Sequence, residues 1–224
     1  MSPTQMEIAK LIDYALLPPT LTESDLVAGC ELARRYGTAN VTVKPCHVPR
    51  AVELLADSPV PVCSVISFPH GNSMPAIKAA ETALALEQGA REVDMVCNIG
   101  AIKSGDWSLV LDDIRAVVEA ATRHNALVKV ILETAYLTDD EKIKVCRLSE
   151  QAGASFVKTS TGFGGGGATV EDVRLMRATV GPRLGVKASG GIRTLEDLLR
   201  MVEAGANRVG TSSLAAIMQQ LNMK

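Results

Sequence analysis

A single (β/α)8 barrel over residues 1–224 is the fold the sequence predicts, and three observations predict it. Short runs rich in Val and Ile alternate with longer stretches of helical period; the apolar runs number eight; and no G-x-G-x-x-G turn follows the first or second of them. The missing glycine turn sets aside an open doubly wound sheet, the nearest competitor. Dividing 224 residues by eight leaves 28 per unit, slightly compact beside the roughly 250 residues typical of such barrels. Strands that alternate with helices are parallel, because each helix carries the chain back to the edge where the last strand began.

In chain order, the first strand is expected at 11–15 and is followed by a helix at 24–36. Thr22 with Asp25 opens that helix, since a Thr and an acid three residues apart satisfy two orphan amides of a first turn, and Gly37 closes it. Strands at 39–43 and 60–66 come next, with no helix assigned between them, then a helix at 75–88 ended by Gly89. A strand at 92–97 leads to a helix at 107–124, and a strand at 127–132 to a helix at 139–152 bounded by Thr138 with Glu141 and by Gly153. The sixth strand, 155–159, precedes a helix at 170–180 opened by Thr169 with Asp172. The seventh, 184–188, precedes one at 195–204 between Thr194 with Asp197 and Gly205; a strand at 208–210 and a helix at 213–221 complete the count.

Composition narrows the function. Lys and Arg number 23 against 25 Asp and Glu, a net charge of -2 that offers no electrostatic footprint for nucleic acid or an acidic membrane. The uncharged stretch at 58–77 carries prolines, a His and an Asn, which no spanning helix tolerates together. Residues 1–10 lack the apolar core of a secretory signal, so a cytoplasmic protein is expected. Five scattered cysteines and three isolated histidines suggest neither a disulfide framework nor a metal cage, and no cofactor fingerprint is present.

Buried parallel strands should be almost wholly apolar, so charges within them call for a reason. Asp94, Lys129, Lys158 and Lys187 are conspicuous. If Lys158 and Lys187 face each other in a dry cavity, each disfavours the other's charge, and a neutral amine is what attack on a carbonyl requires. Asp94 would then serve as an acid/base or relay partner that also steadies the cationic lysine. Gly-, Ser- and Thr-rich strings at 159–167, 189–191 and 210–213 follow the last three strands, where barrels commonly bind phosphate through backbone amides. A phosphorylated substrate is expected, with Gly190, Gly191, Ser212 and Ser213 as its ligands.

The strings D-M-V at 94–96, V-K-V-I-L-E-T at 128–134, F-V-K-T-S-T-G-F at 156–163, V-K-A-S-G-G-I-R at 186–193 and G-T-S-S at 210–213 closely resemble the deoxyribose-phosphate aldolase family. The resemblance implies a metal-free class I aldolase of deoxyribose catabolism. Such an enzyme reversibly cleaves 2-deoxy-D-ribose 5-phosphate to acetaldehyde and D-glyceraldehyde 3-phosphate, as a homo-oligomer. By the same resemblance Lys158 is the imine-forming nucleophile, Lys187 the lysine that lowers its pKa and moves protons, and Asp94 the acid working with them. It makes Lys129 an inward lysine that positions substrate hydroxyls or the relay, and adds Thr161 and Gly162 to the phosphate ligands. The protonated imine is then the electron sink for breaking the bond assigned as C3–C4. Asp13 matches the Asp of the family's D-H-T, but Tyr14 and Ala15 replace the residues after it. Thr42 stands where a Cys is common, Ser67 opens the usual G-F-P-x-G turn, His70 is expected at the mouth, and residues 221–224 hold no tyrosine. An imine-forming aldolase with another phosphorylated acceptor, or a sugar-phosphate-binding barrel without catalysis, stand as alternatives.

Overall fold

The structure, a computed structural model, describes residues 3–222; Met223 and Lys224, part of the tail read for a tyrosine, lie outside them, as do Met1 and Ser2. Eight strands, β1 (Ile12–Leu16), β2 (Asn40–Val43), β3 (Val62–Ile66), β4 (Glu92–Val96), β5 (Leu127–Ile131), β6 (Phe156–Lys158), β7 (Gly185–Ser189) and β8 (Arg208–Thr211), pair in chain order. Each pair is parallel, and β8 closes on β1 through Ile12 opposite Val209, so the barrel has no open edge. The expected strands recur within about two residues of their ends, the usual uncertainty of a boundary.

Ten α-helices surround it among the described residues: α1 (Pro3–Ala9), α2 (Glu23–Tyr36), α3 (Val48–Leu54), α4 (Pro75–Glu87), α5 (Ile99–Lys103), α6 (Trp107–Thr122), α7 (Asp139–Ala152), α8 (Val170–Val180), α9 (Leu195–Glu203) and α10 (Leu214–Asn222). Three were not anticipated, α1, α3 and α5. None exceeds seven residues, too few to show a 3.6-residue period, and α3 carries Pro49 in its first turn. A proline there costs no hydrogen bond, although in a sequence it reads as a breaker. With α3 present, β2 and β3 are joined by a crossover helix like their neighbours.

Capping boxes close at Thr22, Thr138 and Thr194. At Thr169 only half forms: the hydroxyl accepts from the Asp172 N–H, while the Asp172 carboxylate pairs with Lys142 of α7 at 2.7 Å, tying two helices together. The apolar core lies between the outer strand faces and the helices. On β4, Val93 and Met95 point into it, and the alternate residues Glu92 and Asp94 point into the barrel. The E-V-D-M-V pattern is therefore ordinary strand alternation with an ionic interior instead of an apolar one.

Outside the barrel, one ion pair among the described residues has no exposed side-chain surface. Lys78 of α4 and Asp113 of α6 are wholly buried; Lys78 donates to the carbonyl of Val96 at 2.7 Å and to Asp113 at 2.6 Å, and Asp113 also accepts the Asn98 N–H. Both charges read as helix surface in the sequence. Together they clamp the carboxyl end of β4, two residues beyond Asp94. Among the described residues no helix is long and apolar enough to cross a membrane.

Candidate active site

At the carboxyl ends of the strands lies a cavity of about 250 Å3, the end where barrels of this class carry their sites. Lys158, Lys187, Asp13 and Thr42 form its floor, and the loops after β6, β7 and β8 form its walls. Register brings the floor together: Lys158 lies opposite Lys187 across β6 and β7, and Lys187 opposite Arg208 across β7 and β8. Gly210 makes room for Lys187, because a Cβ there would stand 3.1 Å from Lys187 Cε and 2.8 Å from Ser189 Cβ.

Beneath the floor Asp94 gathers three lysines. Its Oδ2 accepts from Lys158 at 2.7 Å and from Lys187 at 2.6 Å, and its Oδ1 accepts from Lys129 at 2.9 Å. Lys187 is also 2.5 Å from Asp13, whose other oxygen accepts from Arg208. Lys129 reaches Glu92 at 2.5 Å, and Glu92 accepts from Asn40 at 2.6 Å and from Arg208 at 3.2 Å. All these side chains are buried or nearly so.

The two facing lysines differ in charge preference. Burial lowers the proton affinity of both. For Lys187 the carboxylates of Asp13 and Asp94 outweigh burial, and its pKa is raised. Lys158 has Asp94 alone as a strong partner, with Lys187 opposing, so burial prevails and its pKa is lowered. Burial would raise the carboxyls of Asp13 and Asp94, but the surrounding cations outweigh it and hold both below the usual carboxylate range, Asp94 well below. Asp94 is thus a fixed anion at neutral pH. Asp94, expected as an acid/base or relay partner, is not among the residues lining the cavity; it contacts the cavity through Lys158 and Lys187.

Other expected positions divide. Asp13, Gly162, Gly190, Gly191 and Ser212 line the cavity. Thr161 lines it as well, and its N–H and hydroxyl both donate to the buried Glu133, which orders the loop. Lys129 has no exposed surface and is not among the residues lining the cavity; it reaches Asp94 and Glu92 instead. Ser213 is outside the lining, its N–H taken by the Thr211 hydroxyl at 2.9 Å. His70 is exposed and also outside it. Tyr14 is buried on the outer face of β1, whereas Ala15 faces the cavity. Thr42 donates to Asn40 at 2.9 Å, and Ser67 takes a left-handed φ of 52° where the family's glycine is at ease.

Several contributors were not singled out in the sequence. Glu92 and Arg208 meet the criterion that flagged Asp94, a charge inside a buried strand, and applying it evenly would have found them. Glu133 and Arg193 had no such signal: Glu133 sits at φ 58° beyond β5, and Arg193 joins the cavity wall from the loop after β7. The Ser/Thr strings do structural duty too. Thr159 and Ser189 exchange side-chain and main-chain hydrogen bonds at 3.1 Å, and the Ser189 hydroxyl donates to the Ser160 carbonyl at 2.6 Å, which stitches the ends of β6 and β7 together. Across the mouth Phe163 meets Phe68 edge to face at 5.4 Å. Among the described residues no group of three or more His, Cys, Asp or Glu is placed to hold a metal ion.

Comparison with known proteins agrees in one direction. A family model described as DeoC/LacD family aldolase matches residues 8–220. The deoxyribose-phosphate aldolase of Carboxydothermus hydrogenoformans is 56% identical over 217 residues, covering 96% of this chain and 95% of that relative. The enzyme of the same name from Bacillus mycoides is 56% identical over 212 residues, covering 95% of each. Among solved structures, the deoxyribose phosphate aldolase of Aeropyrum pernix, described as tetrameric, superposes with a TM-score of 0.91 at 34% identity, over 97% of this chain and 92% of its own.

Proposed function

The chain belongs to the DeoC/LacD family of aldolases, and from that premise we propose that it is a deoxyribose-phosphate aldolase working through an imine on Lys158. One observation carries the mechanism: two lysines share a single carboxylate oxygen at the floor of the cavity, one held cationic and the other inclined to be neutral. The lone pair of neutral Lys158 attacks C1 of the open-chain sugar, and Lys187, the ammonium that reaches the same cavity, protonates the departing oxygen, which leaves as water. The protonated imine draws electrons from C2. Acetaldehyde keeps C1 and C2, so the bond that breaks is C2–C3, which corrects the C3–C4 assignment. Lys187, left as an amine, takes the proton of the C3 hydroxyl as the aldehyde of D-glyceraldehyde 3-phosphate forms and returns it to C2 of the enamine; a water then hydrolyses the imine, releasing acetaldehyde and free Lys158 and giving Lys187 back its proton. The water lost on entry is recovered on exit.

The phosphate is read as lying against the backbone of Gly190, Gly191 and Ser212, with the guanidinium of Arg193 on the same wall. Gly190 takes φ 88° and has Gly167 packed on it, where a Cβ would meet that Cα at 2.9 Å, so a side chain there would both strain the turn and displace the opposite loop. We further read the protein as a cytoplasmic homo-oligomer, with the tetrameric Aeropyrum pernix relative as support. Borohydride reduction in the presence of acetaldehyde or 2-deoxyribose 5-phosphate, followed by peptide mass spectrometry, tests the assignment. An adduct on Lys158 is expected; a folded preparation with no adduct there would remove the imine mechanism.

A further inference from the structure

We propose that Arg208 and Glu92, which do not line the cavity, set the protonation of Lys158 by completing a charge-balanced lattice inside the barrel. The inference rests on Lys158 being the nucleophile. The lattice contains Asp13 from β1, Glu92 and Asp94 from β4, Lys129 from β5, Lys158 from β6, Lys187 from β7 and Arg208 from β8, all joined by ion pairs. Three of these seven are acids and four are bases, so full ionisation leaves one positive charge without a counter-charge. An interior of low dielectric penalises that charge, and the basic site with the weakest hold on its proton gives it up.

The contacts say which site that is. Arg208 keeps its proton because a guanidinium is too basic to lose it. Lys129 is held by Glu92 at 2.5 Å and Asp94 at 2.9 Å, and Lys187 by Asp13 at 2.5 Å and Asp94 at 2.6 Å. Among the described residues Lys158 pairs with Asp94 alone, at 2.7 Å, through an oxygen already given to Lys187. Arg208 therefore adds the cation that makes a fourth one unaffordable, and Glu92 supplies the anion that admits the third. The other groups facing the lattice are the Cys63 thiol of β3, 3.3 Å from Asp94 and held protonated by burial, and the uncharged Asn40 and Thr42 of β2. Arg193 stands on the cavity wall above. None of these changes in the test below.

Acetaldehyde is the probe, since it carries no charge and leaves the titration to the barrel. The rate of trapping by cyanoborohydride, read as adduct on Lys158 by peptide mass spectrometry across pH, gives a midpoint for the neutral amine. Arg208→Gln removes a cation, so the midpoint should rise by about one pH unit, the scale of one charge acting through an interior of effective dielectric about 20. Glu92→Gln removes an anion and keeps an oxygen for Asn40 and Lys129; the midpoint should fall by about the same amount. The double variant, neutral again, should return close to wild type, and Arg208→Lys should leave the midpoint in place. Rates that drop at every pH with unmoved midpoints, or midpoints that move the same way in both single variants, would overturn the proposal. Should Arg208→Gln fail to fold, the sign of the Glu92→Gln shift decides alone. Absence of any wild-type adduct on Lys158 would instead remove the imine reading.

Discussion

Two lysines opposite one another in register have opposite tasks because their carboxylate partners are unequal. Lys187 has two and Lys158 has one that is shared. Lys158→Ala should therefore abolish cleavage and adduct formation together while the barrel still folds, as circular dichroism and an aldol-cleavage assay would show. Lys187→Leu should leave a folded protein whose remaining amine, relieved of its cationic neighbour, titrates about one unit or more higher; the acidic limb of activity then moves toward alkaline pH. An unchanged limb would mean that Lys187 does not control the nucleophile. Asp94, Lys158 and Lys187 were singled out in the sequence because a charge in an apolar strand calls for an explanation, and Asp13 because it matches the Asp of the family's D-H-T. Their division of labour was not legible there. Lys129 reads the same as Lys158 in its strand, and only the fold shows that Lys158 lines the cavity while Lys129 does not.

At the scale of elements, β4 carries the anion on which the site depends, and its carboxyl end is clamped by the buried Lys78–Asp113 pair between α4 and α6. Lys78→Met should cost about 3–5 kcal/mol, read from urea unfolding, because it strands a buried carboxylate. Thr138→Ala, which removes a closed capping box at the start of α7, should cost only about 1 kcal/mol and leave activity unchanged. The capping residues were legible because a cap is local: Thr and an acid three residues apart are sufficient in themselves. The Lys78–Asp113 clamp was not, since 35 residues separate its partners and each sits in an otherwise ordinary helix. The same holds for the Thr159–Ser189 stitch, read in the sequence as phosphate-binding chemistry and used in the fold to join two strands.

The whole molecule has an inverted economy, an apolar shell around an ionic axis, and its stability should follow pH accordingly. Asp13 and Asp94 are held below their ordinary range, so their contribution is present above about pH 4 and is lost as pH falls through the folded values. Lys129 and Lys187 are held above theirs, so their contribution is full below about pH 10 and is lost only as pH rises beyond their folded values. Calorimetric melting temperatures should therefore fall steeply on acidification below about pH 4; a flat profile there would contradict the lattice. Strand number, the seven longer helices, the threonine N-caps and four of the charges in the strands were legible in the sequence alone, because periodicity, capping and alternation act over a few residues. The pairing of Arg208 with Asp13 at a separation of 195 residues and the unequal carboxylate partners of Lys158 and Lys187 were decided only by the tertiary structure. The physical reason is that a proton's affinity depends on every charge within a few ångströms, and the charges of this lattice come from six different strands.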